Sequence, residues 1–561
     1  MPYFAPLPQR DGRHFSPPPQ ESQVLVTGAG PSGLFAAYLL AKQSIRSAIV
    51  ERHEYRLGQP KAHAINPRSL EIFRQKDAFW VRFNTGLTGI DLGALPYERQ
   101  DEAVKQLTPE PLFNIPQPVL ESFLEEAALA TGLVTIHRGW TWENVSFDEQ
   151  GRPKSKLSSR SEANKIMELT SDVLIGADGT DSKVRSVIDE IQWEAVSDCR
   201  EEKTFYCSIH GVGSIRSLVT ATNNLAQLYF CLHPAHPCGL IVYDLSGSWV
   251  HTHAVDRSID HVEDYTQQDC RRLIDDCIGP GVEYTVQSAN QWYTWPRVAS
   301  SYHNKNVRLF LVGDAAHSFP PQGGLGINTG IADVHNLIWK LDYAFRRRFS
   351  GCEQLLTSYT QERRPVAIRN TLQSATNEKN WVAFTQFAGY MVNMASSFEG
   401  GDQDFFQQDY VKKIMLDAIA ATKPHFDSLR LQLGYVYDKE APIDTTVPQG
   451  CWAFLPSAQP GARLPHTWID PSKSVLDLIT YDGFMLLYDG GDFGRDSYQI
   501  NGDTIMVDKI NVNDLGNLPG WFVSLKIAEN SGILVRPDQH ILVLVKSDSE
   551  VEESLKSYLG E

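Results

Sequence analysis

A glycine-rich turn near the amino terminus contains the residues whose spacing most clearly predicts chemistry. Gly28, Gly30 and Gly33 follow the pattern G-x-G-x-x-G, with Pro31 and Ser32 between them. In such a turn the first glycine permits a tight bend, the second lets the backbone approach a pyrophosphate, and the third lets a helix pack closely on a strand. Free amides and the positive end of a helix dipole would then face the anion. The turn therefore predicts a dinucleotide site.

The segments on either side of this turn have the order strand, helix, strand. Residues 24–27 form an apolar strand, residues 33–42 follow a helical pattern, and a second strand ends at Glu51, 18 residues after Gly33. A carboxylate at that place accepts a ribose hydroxyl and repels a 2′-phosphate. Glu51 and the adjacent Arg52 are therefore predicted to hold the unphosphorylated adenosine of FAD or NAD.

Two later segments repeat the arrangement of a strand followed by a turn with a carboxylate. Residues 171–188, SDVLIGADGTDSKVRSVI, place Asp178 directly after a strand. Residues 306–341 place Gly313 and Asp314 after another strand, and a proline pair, a glycine-rich loop and an amphipathic helix follow. Asp314, at a strand end, can accept hydrogen bonds from hydroxyl groups of a ligand. The glycine-rich loop would not obstruct a flat ring, and the helix dipole behind it would favour an anionic one.

In this order and at these distances, the three segments resemble the single-component FAD-dependent aromatic hydroxylases, the flavin monooxygenase family of phenol hydroxylase and para-hydroxybenzoate hydroxylase. The second segment matches the family's D-G fingerprint, the third its G-D fingerprint, and LLTSYTQERRPVA a shared ending. The resemblance covers about residues 22–370. It implies that NAD(P)H, docking transiently, reduces FAD, and that O2 then hydroxylates a phenolic or polyketide substrate through a flavin hydroperoxide.

The resemblance also implies which residues bind FAD. Lys61 stands where the family usually has arginine, so the positive charge is kept but the planar fork is lost. Leu325 stands where many relatives carry glutamine, which removes one polar contact. The predicted FAD residues are Gly28, Gly30, Pro31, Ser32, Gly33, Glu51, Arg52, Lys61, Gln117, Asp178, Gly313, Asp314, Pro321, Gly324, Gly326, Ile327 and Asn328.

The base that deprotonates a phenol is not assigned by any motif. Phenol hydroxylases carry an aspartate in the loop that corresponds to residues 58–64, and this sequence has none there. The candidates are therefore polar residues of that loop and of the strand-rich region that follows the second segment. The predicted catalytic residues are His63, Tyr229, Tyr243 and Arg297, and His210 and His233 are further polar groups of the same region.

The predicted fold class is α/β, a Rossmann-like FAD-binding domain with an inserted β-sheet substrate domain and a C-terminal thioredoxin-like domain. Alternating strand-like runs with turn residues predict the sheet. The predicted segments are a flexible arm (1–22), the FAD-binding domain (23–189 and 300–390), the substrate domain (190–299), a helical linker (391–444) and the thioredoxin-like domain (445–561).

Composition excludes several classes of partner. The net charge of −17 argues against nucleic acid and anionic membrane surfaces. Eight scattered cysteines, without C-x-x-C or finger-type histidine spacing, predict no metal site and suit a cytoplasmic protein. No apolar run reaches the length of a membrane span. A homodimer is a candidate assembly.

Three alternatives to aromatic hydroxylation stay open at this stage. A Baeyer–Villiger oxygenase would use a flavin peroxide as a nucleophile on a polyketide ketone. A flavin halogenase is disfavoured because the W-x-W-x-I-P motif is missing; WYTWPRV at 292–298 has different spacing. A non-enzymatic flavin-binding protein is disfavoured by the intact G-D loop.

Overall fold

The computed structural model describes most of the 561 residues. The described residues are 16–56, 64–66, 80–97, 102–110, 113–162, 165–188, 190–196, 199, 202–221, 225–233, 236–258, 261–279, 281–438, 450–500 and 502–560.

The first sheet is built around the strand Glu21–Thr27, whose apolar residues are completely buried at Val24, Leu25 and Val26. It pairs in parallel with Ser47–Glu51 on one side and Ile166–Gly176 on the other. The spatial order is Val134–Arg138, Ser47–Glu51, Glu21–Thr27, Ile166–Gly176, Pro153–Ser159 and Trp140–Phe147, with Leu309–Leu311 paired to the end of Ile166–Gly176. The carboxyl ends of three parallel strands therefore meet at one edge of this sheet.

Three helices cover the first sheet. The strand–turn–helix unit predicted from the glycine pattern is present, since the helix Pro31–Lys42 directly follows the first turn. It packs against Gln117–Ala130 and against Leu325–Arg346, which is almost entirely buried. Apolar residues fill the space between the helices and strands, as expected for a helix layer on a parallel sheet.

The second sheet lies mostly between the second and third fingerprint segments. Its seven strands are, in spatial order, Thr285–Thr294, Thr204–Val212, Ser248–Val255, Cys238–Val242, Leu228–Cys231, Trp80–Asn84 and Asp91–Pro96. The last two come from outside residues 190–299, and Trp80–Asn84 pairs in parallel with Leu228–Cys231. Alternate residues face opposite sides of this sheet, so its two faces have separate cores.

One face of the second sheet is covered by the amphipathic helix Gln267–Ile278 and the other by the second half of the long helix Glu353–Ser396. Three shorter helices follow the long one: Gly401–Gln407, Asp409–Ala421 and Leu429–Leu433. Among the described residues, no helix combines the length and the apolarity required to cross a lipid bilayer.

The third sheet is formed by residues near the carboxyl terminus. Its order is Ser497–Ile500, Asp503–Asn511, Phe484–Tyr488, Gly532–Val535 and Ile541–Val545. Phe484–Tyr488 is parallel to Asp503–Asn511, and the other pairs are antiparallel. The helices Leu518–Ser524 and Asp548–Leu559 accompany it. Its inner residues share one apolar core with the first sheet and its helices.

Short elements complete the described chain. The strands are Ala64–Ile65, Phe113–Asn114, Trp193–Ala195, Arg297–Ala299, His317–Ser318, Trp468–Asp470 and Lys473–Ser474. The helices are Glu102–Lys105, Lys183–Ser186 and Arg216–Ala221, and the 3-10 turns are Val262–Asp264, Gly313–Ala315, Lys423–His425, Val475–Leu478 and Val512–Asp514.

A buried network of charges joins the third sheet to the two long helices. Glu362 accepts hydrogen bonds from Arg536 (2.9 Å), Lys340 (2.7 Å) and Asn336 (2.8 Å), and Arg536 also donates to Asp538 (2.6 Å). All of these side chains are buried. The network therefore fixes the position of the third sheet through paired charges as well as apolar contacts.

We expect Glu362→Gln to lower the free energy of unfolding by about 3–5 kcal/mol, because Lys340 and Arg536 would keep buried charges with one carboxylate fewer. Guanidinium denaturation followed by tryptophan fluorescence measures this. In the control Asp417→Asn, which removes an exposed pair with Lys413, stability should hardly change. Equal stability of Glu362→Gln and the unmodified protein would contradict the prediction.

Candidate active site

The first turn is held tightly against the end of the strand Ile166–Gly176. Gly28 has a φ of +94°, and a Cβ there would lie 2.4 Å from the carbonyl oxygen of Ala177. A Cβ at Gly33 would lie 2.1 Å from the carbonyl oxygen of Gly28. Gly30, by contrast, would place a Cβ in open space with no atom within 4 Å. Backbone atoms therefore pack closely against the turn at Gly28 and Gly33, whereas the space at Gly30, where the helix Pro31–Lys42 begins, is open.

The third fingerprint segment meets the first at Ser32. Cβ atoms added at Gly313 and at Gly330 would each lie 2.6 Å from Ser32 Oγ, and that at Gly330 would also lie 3.0 Å from the Cα atom of Gly313. Gly313 has a φ of +59°, which favours glycine. Asp314 is exposed although the residues beside it are buried. The first and third segments are therefore in direct contact, and the exposed Asp314 is one residue from that contact.

Glu51 is fixed beside the same turn by backbone amides. Its Oε2 accepts a hydrogen bond from the amide of Ala29 at 2.9 Å, and its Oε1 accepts one from the amide of His53 at 2.8 Å. Each carboxylate oxygen has a further lone pair for another donor. Arg52 is exposed and lines an open hollow together with Arg160.

Asp178 caps the short helix Lys183–Ser186. Its carboxylate accepts hydrogen bonds from Ser182 Oγ (2.5 Å) and from the amide of Lys183 (2.8 Å), and burial raises its pKa. Arg185 in this helix donates to the carbonyl oxygen of Ala315 at 2.7 Å. The second fingerprint segment therefore supports the turn that contains Gly313 and Asp314.

A buried charge cluster supports this turn from the other side. Asp333 accepts hydrogen bonds from the amide of Gly313 (3.2 Å), from His317 Nε2 (2.8 Å) and from Arg363 Nε (2.8 Å). Burial alone would raise the pKa of Asp333, but His317 and Arg363 hold it below its ordinary value. The turn is thus fixed by an ionised carboxylate, which no sequence motif had indicated.

The glycine-rich loop ends in an uncapped helix. Gly323 and Gly324 have φ values of +110° and +62°, and Leu325–Arg346 begins without a side-chain hydrogen bond at its cap. The amide of Gly324 donates to the carbonyl oxygen of Pro321 at 3.0 Å, and Pro321 is exposed. Gly326 and Ile327 are half-buried in the first turn of the helix. This end of the helix can therefore face a ligand with its own amides.

Asn328 holds a separate piece of chain against this helix end. Its Nδ2 donates to the carbonyl oxygens of Ala64 (3.0 Å) and Gly324 (2.6 Å), and its Oδ1 accepts from the amide of Asn66 (2.9 Å). Because both ends of the amide are used on backbone groups, the side chain positions residues 64–66 beside the loop.

Comparison with known proteins identifies the cofactor that this protein binds. Residues 21–374 match the model of the FAD binding domain family. The chain belongs to that family. It therefore binds FAD, and the fold is an FAD-binding fold with mixed α/β sheets.

The comparisons also found relatives over nearly the whole chain. The FAD-dependent monooxygenase apdD of Emericella nidulans is 25% identical, with 92% of this chain and 86% of the relative covered. The 2,4-dichlorophenol 6-monooxygenase of Cupriavidus pinatubonensis is 25% identical over 93% and 92%. The solved structure of the flavin-dependent monooxygenase PieE with FAD and substrate has a TM-score of 0.81 at 25% identity, covering 96% and 99% of the two chains.

The observed geometry suits each part of FAD. The open space at Gly30 and the uncapped helix behind it suit the pyrophosphate, and the fixed carboxylate of Glu51 suits the adenosine ribose. The exposed Asp314 suits the ribityl chain, and the uncapped helix after Gly324 suits the ring. Gln117, which begins the helix Gln117–Ala130, donates to Glu121 at 2.7 Å. Lys61 lies outside the described residues.

A hydrogen-bonded pair that the sequence did not reveal lies next to the glycine-rich loop. The hydroxyl of Tyr206 donates to Glu378 Oε1 at 2.7 Å, and Gln322 Nε2, directly before Gly323, donates to the Tyr206 oxygen at 3.3 Å. Tyr206 stacks on Trp292 with ring centroids 4.7 Å apart. A phenol hydrogen-bonded to a buried carboxylate can accept a proton from a ligand while passing its own to the carboxylate.

Of the predicted catalytic residues, the three that the structure describes do not come together. Tyr229 lies on the face of the second sheet opposite Tyr206, packed in the core beneath Gln267–Ile278, and its oxygen accepts from the amide of Ala226 at 2.8 Å. Burial raises its pKa to about 12. Tyr243 lies just after the strand Cys238–Val242, and burial raises its pKa above the ordinary value. His63 lies outside the described residues.

The remaining polar candidates have structural partners. Arg297 lies in a separate small sheet beside Ser318, stacks on Trp295, and has a pKa lowered to about 10 by burial and by Arg185. His210 faces the same side as Tyr206, hydrogen-bonds Ser248 Oγ at 2.9 Å, and has a pKa lowered to about 4 by burial. His233 is half-buried, and its ring lies parallel to that of His236 with centroids 6.0 Å apart.

We expect Asn328→Ala to weaken FAD binding by about tenfold, because residues 64–66 would lose two hydrogen bonds and Gly324 one at the ring end of the site. Fluorescence titration of apoprotein with FAD measures the dissociation constant. Asn393→Ala, an exposed asparagine in the helix Glu353–Ser396, is the control. Unchanged FAD affinity in Asn328→Ala would show that the loop keeps its position without this side chain.

Proposed function

We propose that this FAD-dependent monooxygenase hydroxylates the aromatic ring of a phenol or a phenolic polyketide, using NAD(P)H and O2. Bound FAD supplies the activation of oxygen, and the protein supplies binding, orientation and proton transfer. The observation that carries the proposal is the Tyr206–Glu378 pair beside the loop that precedes Gly324, because hydroxylation of a phenol is favoured when its proton is removed. The whole-length relatives with dichlorophenol in their names support the substrate class.

The substrate's phenol proton would be removed through two oxygen atoms, that of Tyr206 and Oε1 of Glu378. The Tyr206 oxygen, which accepts a hydrogen bond from Gln322 Nε2 at 3.3 Å, would receive the substrate's phenol proton. Tyr206 then gives its own proton to Glu378 Oε1, 2.7 Å away. Glu378 is 7% exposed, so little water competes for this proton.

The polar half of the same sheet face would contact the substrate. Ser208 lies there, two residues from Tyr206, and hydrogen-bonds both Thr252 (2.6 Å) and Trp292 Nε1 (2.9 Å). Asn290 is the cross-strand neighbour of Ser208. The other half of the face is filled by aromatic residues packed on the long helix. A flat ring with hydroxyl substituents would therefore lie over the polar half, which supports the second sheet as the main part of a substrate domain.

We assign the FAD contacts to the three converging segments. The glycines and Ser32 of the first turn would hold the pyrophosphate, Glu51 and Arg52 the adenosine, and Asp314 the ribityl chain. The flavin ring would lie against Pro321, Gly324, Gly326 and Ile327. The backbone around the cofactor would be held in place by Asn328, Asp178 and Gly313. Gln117 and Lys61 would contact the phosphate or ribityl region.

The third sheet is proposed to be a thioredoxin-like domain without redox activity. Four of its five strands, all except Ser497–Ile500, have an order and directions that suit that fold: two parallel strands beside two antiparallel ones, with a helix before the third and after the fourth. Residues 445–561 contain one cysteine, Cys451, so a dithiol cannot form there. Its place against Glu362 suggests a packing role.

A substrate screen tests the proposed function. We expect phenols and aromatic polyketides to stimulate NAD(P)H oxidation and to yield a product with one added oxygen and an intact ring. A lactone or an opened ring formed from a ketone would instead establish Baeyer–Villiger chemistry. Bound FAD without substrate-stimulated oxygen uptake across the screen would favour a non-enzymatic flavin-binding protein.

A further inference from the structure

Three cysteines converge on the face of the second sheet that is turned away from Tyr206. Cys231 and Cys238 are directly paired across two antiparallel strands, and Cys277 is in the last turn of the helix Gln267–Ile278 above them. The three Sγ atoms all lie within 4.8 Å of one another, and those of Cys231 and Cys277 are 3.2 Å apart. The absence of close spacing in the sequence had led to the expectation of no metal site.

These thiols have no part in the proposed hydroxylation. They belong to the core between the sheet and the helix, together with Leu240, Leu273 and Ile274, and have exposures of 0%, 4% and 1%. Tyr206 points to the other face. The cluster is therefore a separate feature of the molecule, and what it does must be argued from its own geometry.

The separations between the sulfur atoms suit one shared ion. Three thiolates at about 2.3 Å from a cation stand about 4 Å apart, so shifts of less than an ångström in side-chain position would complete the arrangement. Soft thiolate ligands select Zn(II) and Cu(I) over hard cations. In an apolar core the cation needs anionic ligands, because charges that are buried without a partner are very costly.

Metal binding to this cluster is coupled to the loss of the thiol protons. A cation that binds all three thiolates replaces their three protons, which pass to solvent, and no electron is transferred. Binding is therefore expected to become tighter as the pH rises.

The surroundings contain a buried imidazole and a more exposed histidine–aspartate contact. His251 is completely buried, and neither of its ring nitrogens has a hydrogen-bond partner in the part of the chain that the structure describes. Burial lowers its pKa well below the ordinary value. His236 and Asp276, one residue from Cys277, are about one-third exposed, with Nε2 and Oδ2 3.8 Å apart.

We infer that Cys231, Cys238 and Cys277 form a three-thiolate site for a thiophilic d10 cation, Zn(II) or Cu(I). The site ties the helix Gln267–Ile278 to the second sheet. This inference does not depend on the proposed function, because no residue of the hydroxylation site takes part.

The test uses the full chain loaded with FAD, reduced and freed of metal with a chelator under anaerobic conditions. Zn(II) and Cu(I) are titrated separately, and bound metal is counted by mass spectrometry after gel filtration. We expect one ion per chain for at least one of the two metals, with an X-ray absorption spectrum dominated by sulfur at about 2.3 Å. Binding of neither ion, or an ion without sulfur neighbours, would overturn the inference.

Matched serine variants identify the ligands. Cys277→Ser should weaken binding by more than about 100-fold, whereas Cys270→Ser, a buried cysteine of the same helix outside the cluster, should leave it unchanged. FAD absorbance and the melting temperature verify folding, and Cys238→Ser replaces Cys277→Ser if the latter does not fold. Equal binding by Cys277→Ser and Cys270→Ser would refute the assignment, as would a Cys231–Cys277 disulfide whose reduction restores no metal binding.

Discussion

Gly33→Ala is expected to lower the free energy of unfolding by about 3 kcal/mol or more and to yield protein without FAD. The added methyl group would lie 2.1 Å from the carbonyl oxygen of Gly28, which is backbone and cannot rotate away. The first turn would have to separate from the helix Pro31–Lys42, and both the fold and the pyrophosphate site depend on that contact. Guanidinium denaturation and the flavin absorbance of purified protein measure the two effects.

Gly30→Ala separates cofactor binding from folding at the same turn. A Cβ at Gly30 meets no atom within 4 Å, and its φ of −81° suits alanine, so the stability of the apoprotein should not change. The methyl group would occupy space that the pyrophosphate needs, and we expect FAD affinity to fall at least about tenfold.

Gly389→Ala is the control for both variants, because this helical glycine also has open space around it and lies far along the chain from the turn. Its FAD affinity should be unchanged. If Gly30→Ala bound FAD as tightly as Gly389→Ala, the pyrophosphate would have to be placed elsewhere.

The sequence could predict this turn because its constraints are local. The distance from Gly28 to Gly33 is fixed by one strand, one turn and one helix, and Glu51 follows at the end of the next strand. Within so short a unit, residue type and spacing determine which backbone groups meet. The same reasoning placed Asp314 directly after a strand, and the structure has it in the turn Gly313–Ala315 that follows Leu309–Leu311.

Residues whose partners are remote in the chain could not be interpreted in the same way. Asn328 was predicted to bind the cofactor, and its side chain instead holds Ala64 and Asn66, more than 260 positions away. Glu378 is 172 positions from Tyr206, in the second half of the helix Glu353–Ser396, beyond the segment LLTSYTQERRPVA. Such pairs arise only when the helix Glu353–Ser396 is packed across the second sheet.

Alternation along a strand explains the difference between Tyr206 and Tyr229. Both are buried tyrosines in the second sheet, so residue type alone does not show which of them could take part in deprotonating a phenol. Successive residues of a strand face opposite sides, so the register of pairing decides which one meets the site. The register could not be read from the sequence, because the sheet also includes Trp80–Asn84 and Asp91–Pro96 from a distant segment.

Tyr206→Phe and Glu378→Gln are each expected to lower kcat by about 100-fold to 10,000-fold on a phenolic substrate, the usual contribution of a general base. Each removes one of the two oxygens through which the substrate proton would pass, 2.7 Å apart. FAD content should stay at one per chain, since neither residue belongs to the three FAD segments. Stopped-flow and steady-state oxygen uptake with NAD(P)H measure kcat and KM.

Tyr229→Phe is the matched control, because it removes a buried tyrosine hydroxyl from the opposite face of the same sheet. Its kcat should remain within about threefold of the unmodified enzyme, since a hydroxyl that touches no reacting atom contributes no transition-state stabilisation. Comparable losses in Tyr229→Phe and Tyr206→Phe would indicate that both act through the packing of the sheet.

A series of phenols of different acidity distinguishes proton transfer from a purely structural role. If Tyr206 and Glu378 remove the phenol proton, the defect of Tyr206→Phe should shrink for acidic phenols, which ionise without help. It should shrink also as the pH is raised toward about 10, where an ordinary phenol loses its proton in water. A defect of constant size across pH and substrate acidity would contradict the relay. The hydroxyl of Tyr206 would then serve only to fix Gln322 and the loop before Gly324.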